Sequence, residues 1–588
     1  MFDLISRRRF VSGVAAGAAL TGLSFHSGRA LANRSPSVLK GNEFDLRIAY
    51  QPVNFTGVER TATAINGTVP APILRWKEGE RVTLRVTNNL AHDSSIHWHG
   101  MILPTGMDGV PGLSFDGIKP GETFEYQFDV RQNGTYWYHS HSGFQEQTGV
   151  YGAIVIDPVE PDPVACDRDY VVLLSDWTDE DPHDVYAKLK KMSHYYNFQE
   201  RTAGDLWRDI KEKGVAKTWQ ERKMWNTMRM SQTDIADVTG YTYTFLMNGV
   251  TPDQGWTALF NSGEKVRLRF INAAAMSIFD IRIPGLKMKV VATDGQNIEP
   301  VSVDEFRIGV AETYDVVVEP ESDTAYTLFA QTIDRSGYAR GTLTPDPALQ
   351  AEVPSMDHVP LLGRADMGMS HDMAGMDHSM HNMKGMDHSQ HGMHAKHIAG
   401  KPAPAGFGSR AEIKHANTEF GPHIDMRADS PKSGLRDPGV GLRDHAERYG
   451  RKVLTYAELR NLYPTQDRRD PMREIQVHLT GNMSRYMWSF DGVSFDEAEP
   501  IRMTYGERVR ITLVNDTMMT HPIHLHGVWS ELETEELDYL PRKHTIIVQP
   551  GSTISYLVTA DAIGRWAYHC HLMYHMPGMM REVRIEKG

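Results

Sequence analysis

Near its C-terminus the chain reads HCHLMYHMPGMM over residues 569–580, which places Cys570 between His569 and His571. Only two cysteines occur among 588 residues. A thiol in that setting is half of a disulfide, a buried structural thiol or a metal ligand, and the histidine spacing bears on the choice. With 27 histidines, chance would supply roughly one His-x-His pair. The chain has four: His97 with His99, His139 with His141, His524 with His526, and His569 with His571. Imidazoles and a thiolate are the donors of transition-metal sites.

The elements that carry these residues must aim both members of a pair at one place. On an extended strand, residues two apart project from the same face. Each pair can therefore serve one cluster, giving eight converging imidazoles. The same alternation turns Cys570 to the opposite face, and His521 likewise opposes His524 and His526. With His575 and Met580 following, a second site gains two imidazoles, a thiolate and a weak thioether, the ligand set of a blue copper centre. Zinc also accepts His and Cys, but it leaves the paired imidazoles and the methionine without a role. Cys570 would then bind one copper while its peptide neighbours bind others.

Strands of the right kind recur three times. GERVTLRVTN from Gly79, GEKVRLRFIN from Gly263 and GERVRITLVN from Gly506 alternate apolar and polar residues after a glycine turn, the pattern of a half-buried strand. Each follows an Asn-Gly or Asp-Gly turn, in INGTVP, MNGVTP and FDGVSF. The first and third units share a further echo, GTYWYHSH with GRWAYHCH, where the second offers AYTLFAQT without histidine. The expectation is an all-β chain of three β-sandwich domains, at 44–160, 161–345 and 446–588. A segment at about 184–235 reads as a helical insert in the second domain. Residues 346–445, rich in Pro, Gly, Met and His without a sustained apolar period, read as a flexible linker.

The first residues carry Arg7 and Arg8, a moderately apolar stretch and an Ala-Leu-Ala site at 30–32. That combination reads as a twin-arginine signal peptide over residues 1–32, and so as export to a bacterial periplasm. Its removal takes the formal charge from -13 to -16, which favours small or cationic ligands over nucleic acid. Beyond the leader no apolar run approaches the ~20 residues of a membrane span. An oxidising compartment would allow a disulfide, but Cys166 sits in an unrelated context and reads as a free structural thiol.

HWHG, HSH, HPIHLHG and HCHLMYHMPGM, in this order, resemble the four copper-binding motifs of the multicopper oxidases, and the resemblance runs from about residue 44 onward. The twin-arginine start, the helical insert and the Met/His-rich segment are similar to the copper-resistance protein A branch. The resemblance implies cupredoxin-like Greek-key domains and four catalytic coppers. By motif position, His521, Cys570, His575 and Met580 form the type 1 site, with Met580 rather than Met579 because the family's axial residue follows the last histidine by five. His97 and His524 become type 2 ligands. His99, His139 and His571 hold one type 3 copper, and His141, His526 and His569 the other. The implied reaction draws single electrons from a donor and delivers four to O2, giving water. Asp108, in MDGVPG, is similar to the family's acidic residue near the cluster, although an Asp-Gly turn explains it nearly as well. The acid that many relatives carry in the final motif is replaced by Leu572, Met573 and Tyr574.

The donor is read from residues 367–397. GMDHSMHNM from Gly375 and GMDHSQHGM from Gly385 repeat at ten residues, offering Met376, His378, Met380, His381, Met383, Met386, His388, His391 and Met393 as candidate accessory copper ligands. Thioethers are soft donors that suit Cu(I). The leading expectation is oxidation of Cu(I) with copper sequestration, and periplasmic copper carriers are candidate partners. A laccase-like oxidase of phenols or amines and a non-catalytic copper-storage protein are the alternatives.

Overall fold

Each repeated decapeptide becomes an interior strand: Arg81–Asn88, Val266–Asn272 and Arg508–Asn515. The structure, a computed structural model, describes residues 36–228, 231–368 and 408–588. The proposed leader and the nine candidate accessory ligands between Met376 and Met393 lie outside the described residues. All three strands are framed alike. Each lies parallel to an earlier strand, Glu43–Val53, Arg168–Thr178 or Arg473–Asn482, and antiparallel to a later one, Thr123–Asp129, Thr313–Val318 or Ser552–Thr559. A second five-stranded sheet completes each unit, so the chain is three cupredoxin-like β-sandwiches in series. Arg81–Asn88 alternates between covered and half-open positions, whereas Val266–Asn272 is buried at every position.

The predicted turns form where an L-residue must enter the left-handed region. Asn66, Asn248 and Asp491 have φ of 53°, 51° and 53°, each followed by a glycine at positive φ. Their side chains stabilise that geometry by accepting the amides of Arg47, Leu173 and His478. The final Asn of each repeat is fully buried and closes the loop that follows. Asn272 Nδ2 donates to the carbonyls of Ser277 and Ile308 while its Oδ1 accepts from Ala274. Asn88 and Asn515 make the corresponding bonds just before the histidine strands.

Those histidine strands belong to the second sheets. His97–His99 pairs with Gly134–His139, setting His97 opposite His139, and His521–Leu525 pairs with Gly564–Cys570, setting His524 opposite His569. Most apolar residues of the first domain form their own core, but Ile73, Trp137, Tyr151, Ala153 and Val155 join the one continuous core of domains two and three. Domain two is thus fixed against the third domain rather than tethered to it.

Three helices, Pro182–Lys191, Ala203–Lys213 and Val215–Met228, occupy the segment read as an insert. Asp181 caps the first and a Thr202–Asp205 box caps the second. The flexible-linker reading of 346–445 needs correction at both ends. Leu362, Met367, Met426, Leu435, Val440 and Leu442 are buried, and Asp357 bridges Arg282 and Arg451. This irregular backbone is held by charge pairs and scattered apolar anchors, which produce no period for a sequence to display.

The asparagine device is testable in domain two, away from the histidines. Asn272→Ala strands buried carbonyls, each at a cost of about 1–3 kcal/mol. The expected result is a lowered midpoint in thermal unfolding with the histidine sites intact.

Candidate metal centre

The eight paired histidines meet where domains one and three touch. His141, His526 and His569 offer nitrogens that all lie within 4.8 Å of one another, as do His97, His99 and His139, and His97, His524 and His526. The His571 ring lies 5.0 Å from those of both His99 and His139. Seven of the eight are buried and His141 is half-buried.

For six of the eight rings a hydrogen bond or carboxylate contact chooses which nitrogen is presented. His97 Nδ1 donates to the Asp108 carbonyl (2.8 Å), His524 Nδ1 to the His544 carbonyl (2.6 Å) and His569 Nδ1 to the Cys570 carbonyl (3.0 Å). His526 Nδ1 meets Asp108 Oδ2 at 2.9 Å, and His139 Nδ1 meets Glu146 Oε2 at 2.9 Å. His99 is reversed: its Nε2 contacts His544 Nδ1 (3.1 Å) and Thr545 Oγ1 (3.2 Å), leaving Nδ1 inward. Among the described residues, Nε2 of His97, His139, His141 and His524, Nδ1 of His99 and both nitrogens of His571 are buried without a partner, while Nε2 of His526 and His569 meet each other at 3.1 Å. Buried polar atoms are normally paired, so these unpartnered lone pairs fit a metal cluster. Burial, and after it the neighbouring imidazoles, holds His99, His141, His524, His526 and His571 well below the usual histidine range, and His569 falls to about 4. Neutral rings are what a cation needs.

Cys570 faces the other way. Its Sγ lies 3.5 Å from His521 Nδ1 and 3.9 Å from His575 Nδ1, and those two nitrogens are 3.3 Å apart. Thr517 Oγ1 holds His521 Nε2 at 2.7 Å, and Asp237 Oδ2 holds His575 Nε2 at 2.6 Å. Trp488 stacks on the His575 ring. Burial pushes the Cys570 thiol up, so ionisation there requires the cation itself. Two imidazoles and a soft sulfur in a dry pocket fit copper. Cys166, the other cysteine, is half-buried and free.

Three family models for multicopper oxidases match residues 47–161, 168–348 and 468–588. The chain belongs to the multicopper oxidase family. It is 55% identical to copper resistance protein A of Escherichia coli and 57% identical to a copper resistance protein A homolog of Pseudomonas syringae pv. tomato, with 99% of each chain covered in both cases. Among solved structures it resembles Fet3p, a multicopper oxidase that functions in iron import (TM-score 0.61, 18% identity, covering 93% of this chain and 91% of that one). It also resembles the laccase of Botrytis aclada (TM-score 0.60, 20% identity, covering 94% and 88%). These likenesses carry the fold. As a multicopper oxidase the protein is an oxidoreductase that uses copper.

The cross-strand register separates Met580 from Met579. In the register of Gly564–Cys570 with Met580–Glu586, Met580 stands opposite His569 and is half-buried. Met579 is fully buried, and its carbonyl accepts the Cys570 amide at 3.0 Å, so it continues the ladder opposite Cys570. Directly opposed residues share a sheet face, which puts Met579 on the thiol's side. The turn after His575, closed by the Gly578 and Met579 amides onto its carbonyl, brings the strand back one residue early.

Several residues of this multicopper oxidase's centre were not foreseen. Glu146, buried and in contact with His139, lies near the cluster although the final motif lacks an acid. His544 follows Lys543, whose ammonium is buried with Asp294 and Glu312, each at 3.0 Å. Burial alone would push Lys543 down, but those carboxylates hold it up. Asp294 Oδ2 also accepts the amides of His544 and Thr545, so domain two fixes the segment that orients His99 and His524. The Lys-His and Gln-Glu-Gln sequences around these residues are too ordinary to signal such roles.

The two methionines can be separated directly. Met579→Leu is expected to shift the type 1 absorption and reduction potential, and Met580→Leu to leave both unchanged. The opposite pattern in absorption and redox titration would restore Met580.

Proposed function

We propose that this multicopper oxidase serves copper resistance by oxidising Cu(I) at the expense of O2, with the type 1 ligands His521, Cys570, His575 and Met579. In this reading His97 and His524 hold the type 2 copper, and His99, His139 and His571 with His141, His526 and His569 hold the type 3 pair. Copper, when bound, accepts single electrons at the Cys570 site and passes four to dioxygen at the histidine cluster. Cys570 is bonded through the backbone to His569 and His571, so the path between the sites is covalent. Asp108 orients His526 through its side chain and His97 through its carbonyl, and with Glu146 it places carboxyl groups beside the cluster, where O2 reduction consumes protons.

The observation that carries the Cu(I) reading is what covers His575 Nε2. Asp237 touches it, and Asp234 and Asp425 stand close by, with no ammonium or guanidinium paired to the three among the described residues. Asp234 is 7% exposed. Burial, reinforced by Asp237, Glu200 and Asp425, pushes its carboxyl up to about 8, and burial pushes Asp237 and Asp425 up to about 7. Carboxyls raised that far hold their protons near neutral pH, and an arriving cation would displace those protons and be retained by the carboxylates. A ring-sized phenol finds the same nitrogen fully enclosed. The names of the copper resistance relatives support the same reading. No helix among the described residues is long and apolar enough to cross a membrane, and the twin-arginine start supports a periplasmic location. The segment 367–397 would then collect Cu(I) from periplasmic carriers.

Oxygen uptake by the copper-loaded protein, with Cu(I) and with a phenol as donors, is the test. Cu(I) should turn over far faster. Asp234→Asn should raise the KM for Cu(I) several-fold while the blue absorption persists, and Cys570→Ser should abolish both activity and colour. Turnover of the phenol alone would mean a laccase, and no uptake with either donor would mean copper storage.

A further inference from the structure

A second group of metal-ligating side chains lies in domain three, outside the four-copper centre. His415 precedes the short turn Asn417–Glu419, which Glu419 ends, His478 sits on the strand Arg473–Asn482, and Asp516 follows the parallel strand Arg508–Asn515. Four atoms from these residues face one another. His415 Nδ1 lies 2.8 Å from Glu419 Oε2 and 3.7 Å from Asp516 Oδ2, and His478 Nδ1 lies 3.3 Å and 2.6 Å from the same two oxygens. The two shortest pairs are hydrogen bonds. The other two, at 3.3 and 3.7 Å, already stand near the roughly 3.4 Å that separates donors about 2.0–2.2 Å from a tetrahedral ion. An ion would replace the two shared protons and open the short pairs by under about 1 Å.

The set is built rather than incidental. Each carboxylate spends one oxygen on a backbone amide and turns the other to the centre: Glu419 Oε1 accepts from Ala416 (2.9 Å) and Asp516 Oδ1 from Ala428 (2.6 Å). Anchoring of that kind orients metal ligands. Glu419, His478 and Asp516 are 1%, 2% and 0% exposed, while the His415 side chain is 13% exposed and gives an ion access. The atoms that converge are Nδ1 of each ring and one oxygen of each acid, and Nε2 of both rings has no partner among the described residues.

We propose that His415, Glu419, His478 and Asp516 form a further site for a divalent transition metal, separate from the four catalytic coppers. Two nitrogens and two oxygens without sulfur suit Cu(II) or Zn(II) and disfavour Cu(I), and the usual order of affinities ranks Cu(II) above Zn(II). The site does not depend on which donor the oxidase uses.

The test uses the full chain carrying copper at its four catalytic positions only, with further copper removed by a chelator, titrated with Co(II) and Zn(II) beside Glu419→Gln and His415→Gln. The parent should bind one ion more per chain than either variant by equilibrium dialysis. It should show the visible absorption of tetrahedral Co(II), bleached by one equivalent of Cu(II) and absent in both variants. Should Glu419→Gln fail to fold, His415→Gln, altered at a half-buried side chain, carries the comparison. Equal stoichiometry in the parent and in folded variants, with no tetrahedral absorption, would overturn the site and leave a structural hydrogen-bond cluster.

Discussion

A β-strand sends successive side chains to opposite faces, and at His569–His571 that alternation sets two metal sites one residue apart. Both imidazoles turn to the interface with domain one, and the thiol turns into domain three toward His521 and His575. Every other element answers to this constraint. The neighbouring strand must offer His524 and His526 on one face and His521 on the other, and the register that opposes His524 to His569 achieves it. Domain one must bring its own pairs to the same interface from strands of matching parity.

Collecting so many buried nitrogens works against folding, because polar atoms without partners are expensive. The structure limits the loss by giving most rings one satisfied nitrogen, fixed by a backbone carbonyl or a carboxylate. The other nitrogen is left for the ion, so copper binding and stability are linked. The same partners fix the tautomers, which explains why His99 alone among them presents Nδ1.

Domain two has no histidine pair, yet it controls both sites through carboxylates. Asp237 reaches His575, and Asp294 with Glu312 surrounds Lys543 behind His99 and His524. Breaking one partner of a buried pair costs ~3–5 kcal/mol, so these contacts tie the position of domain two to the geometry of the copper sites. The shared apolar core of domains two and three supplies the rigidity.

Much of this was legible in the chain because it depends on local periodicity. The threefold decapeptide, the Asn-Gly turns and the His-x-His pairs follow from strand and turn geometry, which acts over a few residues. The parity argument likewise separated Cys570 from its neighbours. Which methionine faces the thiol is not legible from spacing, because a spacing rule cannot register where the turn after His575 closes, and only the cross-strand ladder sets Met579 opposite Cys570 and Met580 opposite His569. The packed flanks of the Met/His-rich segment escaped because irregular backbone leaves no period. Glu146, Asp237 and His544 gain their roles only when distant segments meet. By itself the sequence determined the repeated strands, their turns and the pairing of the histidines around Cys570. The tertiary structure decided which nitrogen most of the rings present and which acid faces His575, because tautomer and charge environment depend on neighbours that only folding brings within hydrogen-bond reach.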